Sequence, residues 1–390
     1  MEKGLNVQEI FKIIPEEVLE EFAKKTEVDK NVKKLTGKSI FQLLLFSYIQ
    51  SERVSLRLME NYYQTEQFRS FLTENKGGTK HTSLSDRFRT IKTEYFETIL
   101  SYLVEKVKQL KLTQEAQQIM RFDSTLITLS SKLLKHGLPT GAGGKKRQIK
   151  VTVGFNGLPR KIKVFEDNSS VGSEEVALKA AILEYSAKAD GIVVFDRGLG
   201  SRKTFRQLDE EEIQFVTRLN NKARYKEVGS FSECSGKVVG NLTLEKDIEV
   251  QLGAKATRWL PHKLRLIIGT SPTGETFYFL TNIKDLTAEE ITEIYKKRWD
   301  IEVFFRFIKQ ELNAKHFISR DLNGIKVTIS MIMILAIMLL IYKLSNNIKG
   351  YKVVKIRFKN ELEMEIIKDI IVFCGGDPER LKERWQKVNL

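Results

Sequence analysis

The sequence predicts an α/β protein with helical regions at both ends, on three observations. Residues 1–112 keep apolar positions at helical spacing, as in SIFQLLLFSYI and YFETILSYLVEKVKQL, with Pro15 as the one breaker. From about residue 118 the period shortens: QIMRFDSTLITLS, KKRQIKVTVGF and LPRKIKVFED are β-rich segments joined by short or glycine-containing links, the pattern of an antiparallel meander. A helical stretch, SEEVALKAAILEYSAKA, then precedes the apolar run from Gly191 to Asp196, whose unbroken hydrophobicity predicts a strand covered on both faces and ending in a carboxylate.

Within the N-terminal module, His81-Thr82-Ser83-Leu84-Ser85-Asp86-Arg87-Phe88-Arg89 offers a serine N-cap followed by a helix with Arg87, Arg89 and Lys92. Such a helix can read DNA or simply present a solvated basic face. Residues 206–285 return to hairpin grammar, clearest where KLRLIIGT and ETFYFLTNI flank the turn SPTG, and are expected to form an inserted β-rich subdomain. A helix opens at Thr287, with Glu290 three residues on in a capping-box pattern. The uncharged segment Val327 to Tyr342 has 16 residues, short of the roughly 20 needed to cross a bilayer, so it is expected to be a buried helix. Residues 346–390 are charged and helical in pattern, interrupted at Gly375-Gly376-Asp377-Pro378. The expected domains are therefore 1–112, a core of 113–205 with 286–345, the insertion 206–285, and 346–390.

The chain's 390 residues, 42% of them hydrophobic, can bury a large core. Its 65 Lys and Arg against 50 Asp and Glu leave a net charge of +15, which favours polyanionic partners, nucleic acid or an anionic membrane. Cys234 and Cys374 stand far apart with no CxxC or Cys/His cluster, so neither a disulfide framework nor a structural zinc site is supported. The start MEKGLNVQEIFKIIPEE lacks the plan of a signal peptide, and a cytoplasmic, nucleoid-associated location with no membrane partner is expected.

The chemistry-bearing residues lie at three places. In ITEIYKKRWDIEVFFRFIKQEL, Tyr295, Arg298, Glu302 and Lys309 stand at offsets of 0, 3, 7 and 14. On one continuous helix they share an arc of about 60°, while apolar residues point in nearly every other direction. The stripe is either a set of intrahelical salt bridges, Arg298 and Glu302 being four apart, or a metal-binding carboxylate flanked by a phenol and two cations that hold phosphates. Upstream, Asp123 lies in the first β segment and Asp196 closes the apolar strand, at the kind of carboxyl end where ligands gather. Either aspartate alone would pass for a turn or cap. Three carboxylates in the order strand, strand, helix suit phosphodiester chemistry, in which two Mg²⁺ ions held by oxygen ligands generate the nucleophile and stabilise the leaving oxygen.

Here a family resemblance becomes specific. Tyr295-x2-Arg298-x3-Glu302-x6-Lys309 resembles the YREK signature of the insertion-sequence 4 family of DDE transposases. Phe122-Asp123-Ser124-Thr125 resembles that family's first catalytic block, and Asp196-Arg197-Gly198 followed by Phe215-Val216-x-Arg218 its second. The resemblance, over roughly 115–345, implies a ribonuclease H-like core interrupted by a β-rich insertion. It implies that Asp123, Asp196 and Glu302 hold two Mg²⁺, with Mn²⁺ able to substitute, and that Tyr295, Arg298, Lys309 and Arg218 contact phosphates of a transposon end. It further implies double-stranded DNA as partner, a homodimer on that DNA, and cut-and-paste transposition. Leu199 departs from the pattern where the family often carries an aromatic residue. Trp299 is a candidate either for base stacking or for core packing. A nuclease of the same fold that cuts without joining, and a noncatalytic DNA-binding descendant, are the competing expectations.

Overall fold

A computed structural model describes residues 4–71, 77–110, 119–128, 138–140, 146–165, 174–186, 191–255, 258–314, 316–319 and 321–380. The expected boundary at 112 and the last ten residues of the 346–390 region lie outside them. In chain order come helices α1 (Val7–Phe11), α2 (Glu16–Thr26), α3 (Gly37–Gln50), α4 (Leu56–Gln64), α5 (Glu66–Phe71), α6 (His81–Thr90) and α7 (Thr93–Gln109). Strands β1 (Ile119–Thr128), β2 (Leu138–Thr140), β3 (Lys146–Phe155) and β4 (Pro159–Phe165) follow, then α8 (Glu174–Ser186), β5 (Ile192–Phe195), α9 (Arg202–Glu210) and β6 (Phe215–Arg218). Next are β7 (Tyr225–Ser232), β8 (Val238–Val239), β9 (Leu242–Lys255), β10 (Arg258–Thr270) and β11 (Thr276–Thr281), and last α10 (Ala288–Lys296), α11 (Trp299–Gln310), α12 (Leu322–Ser345) and α13 (Tyr351–Phe373). The chain forms two compact units, one of residues 1–112 with 306–390 and one of residues 113–305.

The first unit is all helical among its described residues. At its centre α12 is apolar on every side, and its 18-residue apolar window is 94% buried, because α7, α6, α3 and α13 pack around it. Residues 306–345, which the sequence groups with the β-rich core, thus cluster with the N-terminal helices: a helix with no polar face needs helical neighbours all round. The basic helix α6 also differs from expectation. It begins at His81 with no side-chain cap from a serine, and the His81 N–H donates instead to the Glu60 carboxylate at 2.8 Å. Arg87 is buried, donating to the carbonyls of Leu35 and Val28, each at 2.8 Å, so it braces the loop before α3 and is not a DNA-reading side chain.

The second unit is built on one mixed sheet in the order β2-β3-β1-β5-β6-β11-β10-β9-β7, with β4 on β3 and β8 on β9. Strands β1, β5 and β6 run parallel at its centre, and the predicted meander β1-β3-β4 is antiparallel. All four residues of β5 are buried: Val193 and Phe195 join a core with α8 and α9, while Ile192 and Val194 join one with α10 on the other face. Residues 206–285 are not a separate sheet. Phe215–Arg218 lies parallel to β5 as a central strand, and β11, β10, β9 and β7 extend the same hydrogen-bonded ladder outward from it.

A buried ion pair ties this extension to the start of α10. Arg265 on β10 grips Asp247 on β9 with both arms, at 2.9 and 2.7 Å, stacks on Phe231 at 4.0 Å, and donates to the carbonyls of Ile283 and Leu286 just before the Thr287–Glu290 capping box. Removing one partner of such a pair leaves a buried charge alone and costs roughly 3–5 kcal/mol. Arg265→Met should therefore lower unfolding free energy by about that amount in urea titrations. Adding Asp247→Leu to the same chain should recover a large part of the loss.

Candidate active site

Strand alternation on β1 places Ile119, Arg121 and Asp123 on the face covered by α10, while Met120 and Phe122 enter the opposite core. Asp123 thus faces the helices and Asp196 emerges directly after β5, whose Phe195 pairs with Phe122 of β1. The two aspartates hang from neighbouring parallel strands. Glu302 comes from α11, which packs on β3 by stacking Phe304 on Phe155 at 5.1 Å between ring centres.

The helix that brings Glu302 is not continuous. α10 stops at Lys296, tightened i to i+3 bonds follow through Asp300, and α11 begins at Trp299, so Tyr295 and Glu302 belong to different helices. Arg298 occupies the junction and its guanidinium lies between two of the carboxylates, with Nη2 at 2.7 Å from Glu302 and Nη1 at 3.9 Å from Asp123. The intrahelical salt bridge expected from the i, i+4 spacing does form, and it shares its arginine with β1. Lys309 lies in the last turn of α11, within the first unit's residues.

The electrostatics are those of crowded negative charge. Burial pushes the Asp123 carboxyl up to about 6, and the proximity of Asp196 and Glu302 pushes the same way. The Ser124 N–H, donating at 2.7 Å, and Arg298 only partly oppose this. Burial also raises the Tyr295 phenol, to about 12, with Asp196 adding to the shift while Arg298 and Arg218 counter it. Arg298 is held charged against its own burial by Tyr295, Glu302 and Asp196.

Beside the carboxylates opens a cavity of about 670 Å³, lined by Asp196, four cations (Arg197, Arg218, Lys296, Arg298) and the aromatic rings of Phe277, Phe279, Tyr295 and Trp299. Arg218, at the end of β6, lies over the Phe277 ring at 4.2 Å and pairs with Glu275 at 2.8 Å. The Nε groups of Arg218 and Arg298 are buried donors without an acceptor among the described residues. Trp299 is 53% exposed, which excludes the core-packing reading, whereas Leu199 is fully buried beneath the Asp196 turn and fills the core.

The residues suit a divalent cation by donor type and charge: hard carboxylate oxygens, that of Asp123 half-buried and only partly countered by positive charge. Among the described residues no three acidic, histidine or cysteine side chains converge on one point, and the Arg298 guanidinium stands between Asp123 and Glu302 instead. The sequence reading missed two contributors, Arg121 and the helix junction. A lone arginine two residues before a candidate aspartate was the available signal.

Because the Asp123 carboxyl titrates higher folded than unfolded, the folded chain binds its proton more tightly, and stability falls as pH rises from about 4 to above 6. Asp123→Asn should accordingly stabilise the metal-free protein at pH 8, by on the order of 2–3 kcal/mol, with the gain shrinking toward pH 4. Thermal unfolding followed by circular dichroism at the two pH values checks this.

Comparison with known proteins agrees with this architecture. The profile of the family described as "Transposase DDE domain" matches residues 115–339. A Synechocystis sp. protein named as a transposase for insertion sequence element IS4SA is 26% identical over 249 residues, 60% of this chain and 62% of its own length. A Sinorhizobium fredii transposase is 27% identical over 196 residues, 50% and 53% of the two chains, and a Geobacillus stearothermophilus protein named for element IS5377 is 22% identical over 256 residues, 63% and 62%. The matches thus span between half and two thirds of these relatives' length. Among solved structures, the piggyBac transposase in a synaptic complex with hairpin DNA aligns with a TM-score of 0.50 at 12% identity, covering 94% of this chain and 82% of that one, a likeness of ribonuclease H-like fold. With more than half of its residues matched by the profile, the chain belongs to the DDE transposase family.

Proposed function

We propose that the chain binds the inverted-repeat ends of a mobile element and catalyses metal-dependent DNA cleavage and strand transfer, with Asp123, Asp196 and Glu302 as the carboxylates that hold two Mg²⁺ or Mn²⁺ ions. The observation that carries this reading is that Asp196 and Glu302, from the neighbouring parallel strand and from the helix, both lie within electrostatic reach of Asp123 and of Arg298. Bound there, divalent ions would activate an attacking oxygen and stabilise the leaving one.

The chain's own residues supply recognition and orientation. Arg298 and Arg218 both line a cavity rich in cations, a fit for phosphate oxygens, and each keeps a buried Nε that has no acceptor among the described residues. Tyr295, its proton held firmly, would donate a hydrogen bond to a phosphate oxygen. The exposed ring of Trp299 offers a stacking surface for a base, and Lys309 is proposed as a further phosphate contact. In the first step water attacks a phosphorus atom and a 3′-hydroxyl leaves. In the second that 3′-hydroxyl attacks a target phosphodiester and another 3′-oxygen leaves, so joining needs no external energy source. Pairing two ends in one complex makes a homodimer on DNA the proposed active assembly.

Glu302→Gln should abolish cleavage and joining of DNA carrying the native ends in Mg²⁺ or Mn²⁺. Loss of several kcal/mol of transition-state stabilisation corresponds to roughly 10³-fold or more in rate. Activity equal to wild type would remove the assignment. Binding of the same DNA, followed by fluorescence anisotropy, should weaken by orders of magnitude between about 50 and 200 mM salt, and Arg218→Ala should flatten that slope.

A further inference from the structure

Arg121 has 0% exposure and is among the largest fully buried side chains in the chain. A guanidinium taken wholly out of water is tolerated only where its donors are satisfied, so its partners report what the burial achieves. Nε donates to the Lys297 carbonyl at 2.8 Å, Nη2 pairs with Asp300 at 3.3 Å, and Nη1 reaches the Ile119 carbonyl at 3.3 Å. Lys297 and Asp300 bracket Arg298 and Trp299, the junction at which α10 stops and α11 starts.

The junction's backbone explains the arrangement. In an uninterrupted helix the Lys297 carbonyl would accept from the Ile301 N–H, four residues on. Here the Ile301 N–H turns to the Arg298 carbonyl at 3.3 Å, and the Lys297 carbonyl accepts from the Asp300 N–H at 3.1 Å and from Arg121. Arg121 therefore adds a second donor to a carbonyl that the tightened turn has diverted from its i+4 partner. It does so from the strand, two residues before Asp123 and on the same face.

We infer that Arg121 is a positioning residue: through the Lys297 carbonyl and the Asp300 carboxylate it fixes the α10–α11 junction over β1, and so sets Arg298 and Glu302 opposite Asp123. The inference deepens the proposed function and rests on its reading of the carboxylates as metal-holding. Lysine cannot replace the arginine, since one ammonium cannot span a carbonyl and a carboxylate on opposite sides of the junction in the fork geometry of a guanidinium.

The test uses the full chain labelled with 5-fluorotryptophan, whose Trp299 resonance, assigned through Trp299→Phe, reports the junction by ¹⁹F NMR. Mn²⁺ binding is followed in parallel by the electron paramagnetic resonance of the free ion. Arg121→Lys and the milder Asp300→Asn should shift the Trp299 resonance and weaken Mn²⁺ binding about 10- to 100-fold, as loss of an outer-shell support does. Leu264→Ala, a core truncation on β10 in the same unit, serves as the destabilised control and should change neither. An unmoved Trp299 signal in Arg121→Lys, or an equal shift in Leu264→Ala, overturns the inference. Glu302→Gln tests the other reading separately: unchanged Mn²⁺ affinity in that variant removes the metal assignment, while a shifted Trp299 in Arg121→Lys still upholds Arg121 as the strut of the junction.

Discussion

Strand β1 carries an arginine and an aspartate on the face that α10 covers, with Arg121 fully buried and Asp123 mostly so. Removing charges from water costs several kcal/mol each unless partners take over the lost solvation, and the partners must come from the covering helices. That requirement organises the second unit. Arg121 draws a backbone carbonyl and a carboxylate from the point where α10 ends, and Asp123 draws the guanidinium of Arg298 from the same point. A helix that answered both could not remain straight, and the break between Lys296 and Trp299 follows.

The same arrangement leaves the site incomplete. Arg298 is one cation shared among a phenol and carboxylates, and it only partly offsets the upward push on Asp123 that burial exerts first and Asp196 and Glu302 add to. A folded chain that tolerates such repulsion trades stability for a prepared charge distribution, one that a divalent ion would relieve. Arg298 already lines the adjoining cavity, together with Arg218, Lys296 and an exposed indole. In the proposed reaction Arg298 would contact phosphates, and Asp123, Asp196 and Glu302 would hold divalent ions that supply countercharge.

Much of this was legible from residue patterns because the signals were local. Strand alternation around Asp123, the unbroken run ending at Asp196, the Thr287–Glu290 cap and the uncharged helix near Val327 each depend on neighbours within a turn or two. What escaped depends on contacts distant in sequence. A continuous helix through Tyr295 and Glu302 is the natural reading of its apolar spacing, since the side chain that takes the Lys297 carbonyl comes from a strand residue 176 positions away. Phe215–Arg218 is too short to announce itself as a central strand, and its place follows from pairing with β5. Of the cations on α6, Arg89 stays exposed as a solvated basic face requires, while the burial of Arg87 was hidden for the same reason: it spends its charge on the carbonyls of Val28 and Leu35.

The most direct measurement is a crystal structure of the wild-type chain grown with saturating Mn²⁺, with the ions located by anomalous scattering. Anomalous peaks should lie against the carboxylates of Asp123, Asp196 and Glu302, with the Arg298 guanidinium moved from between Asp123 and Glu302 into the cavity beside Arg218. Mn²⁺ bound elsewhere, or an Arg298 still bridging Asp123 and Glu302 at saturation, would contradict the proposed metal site.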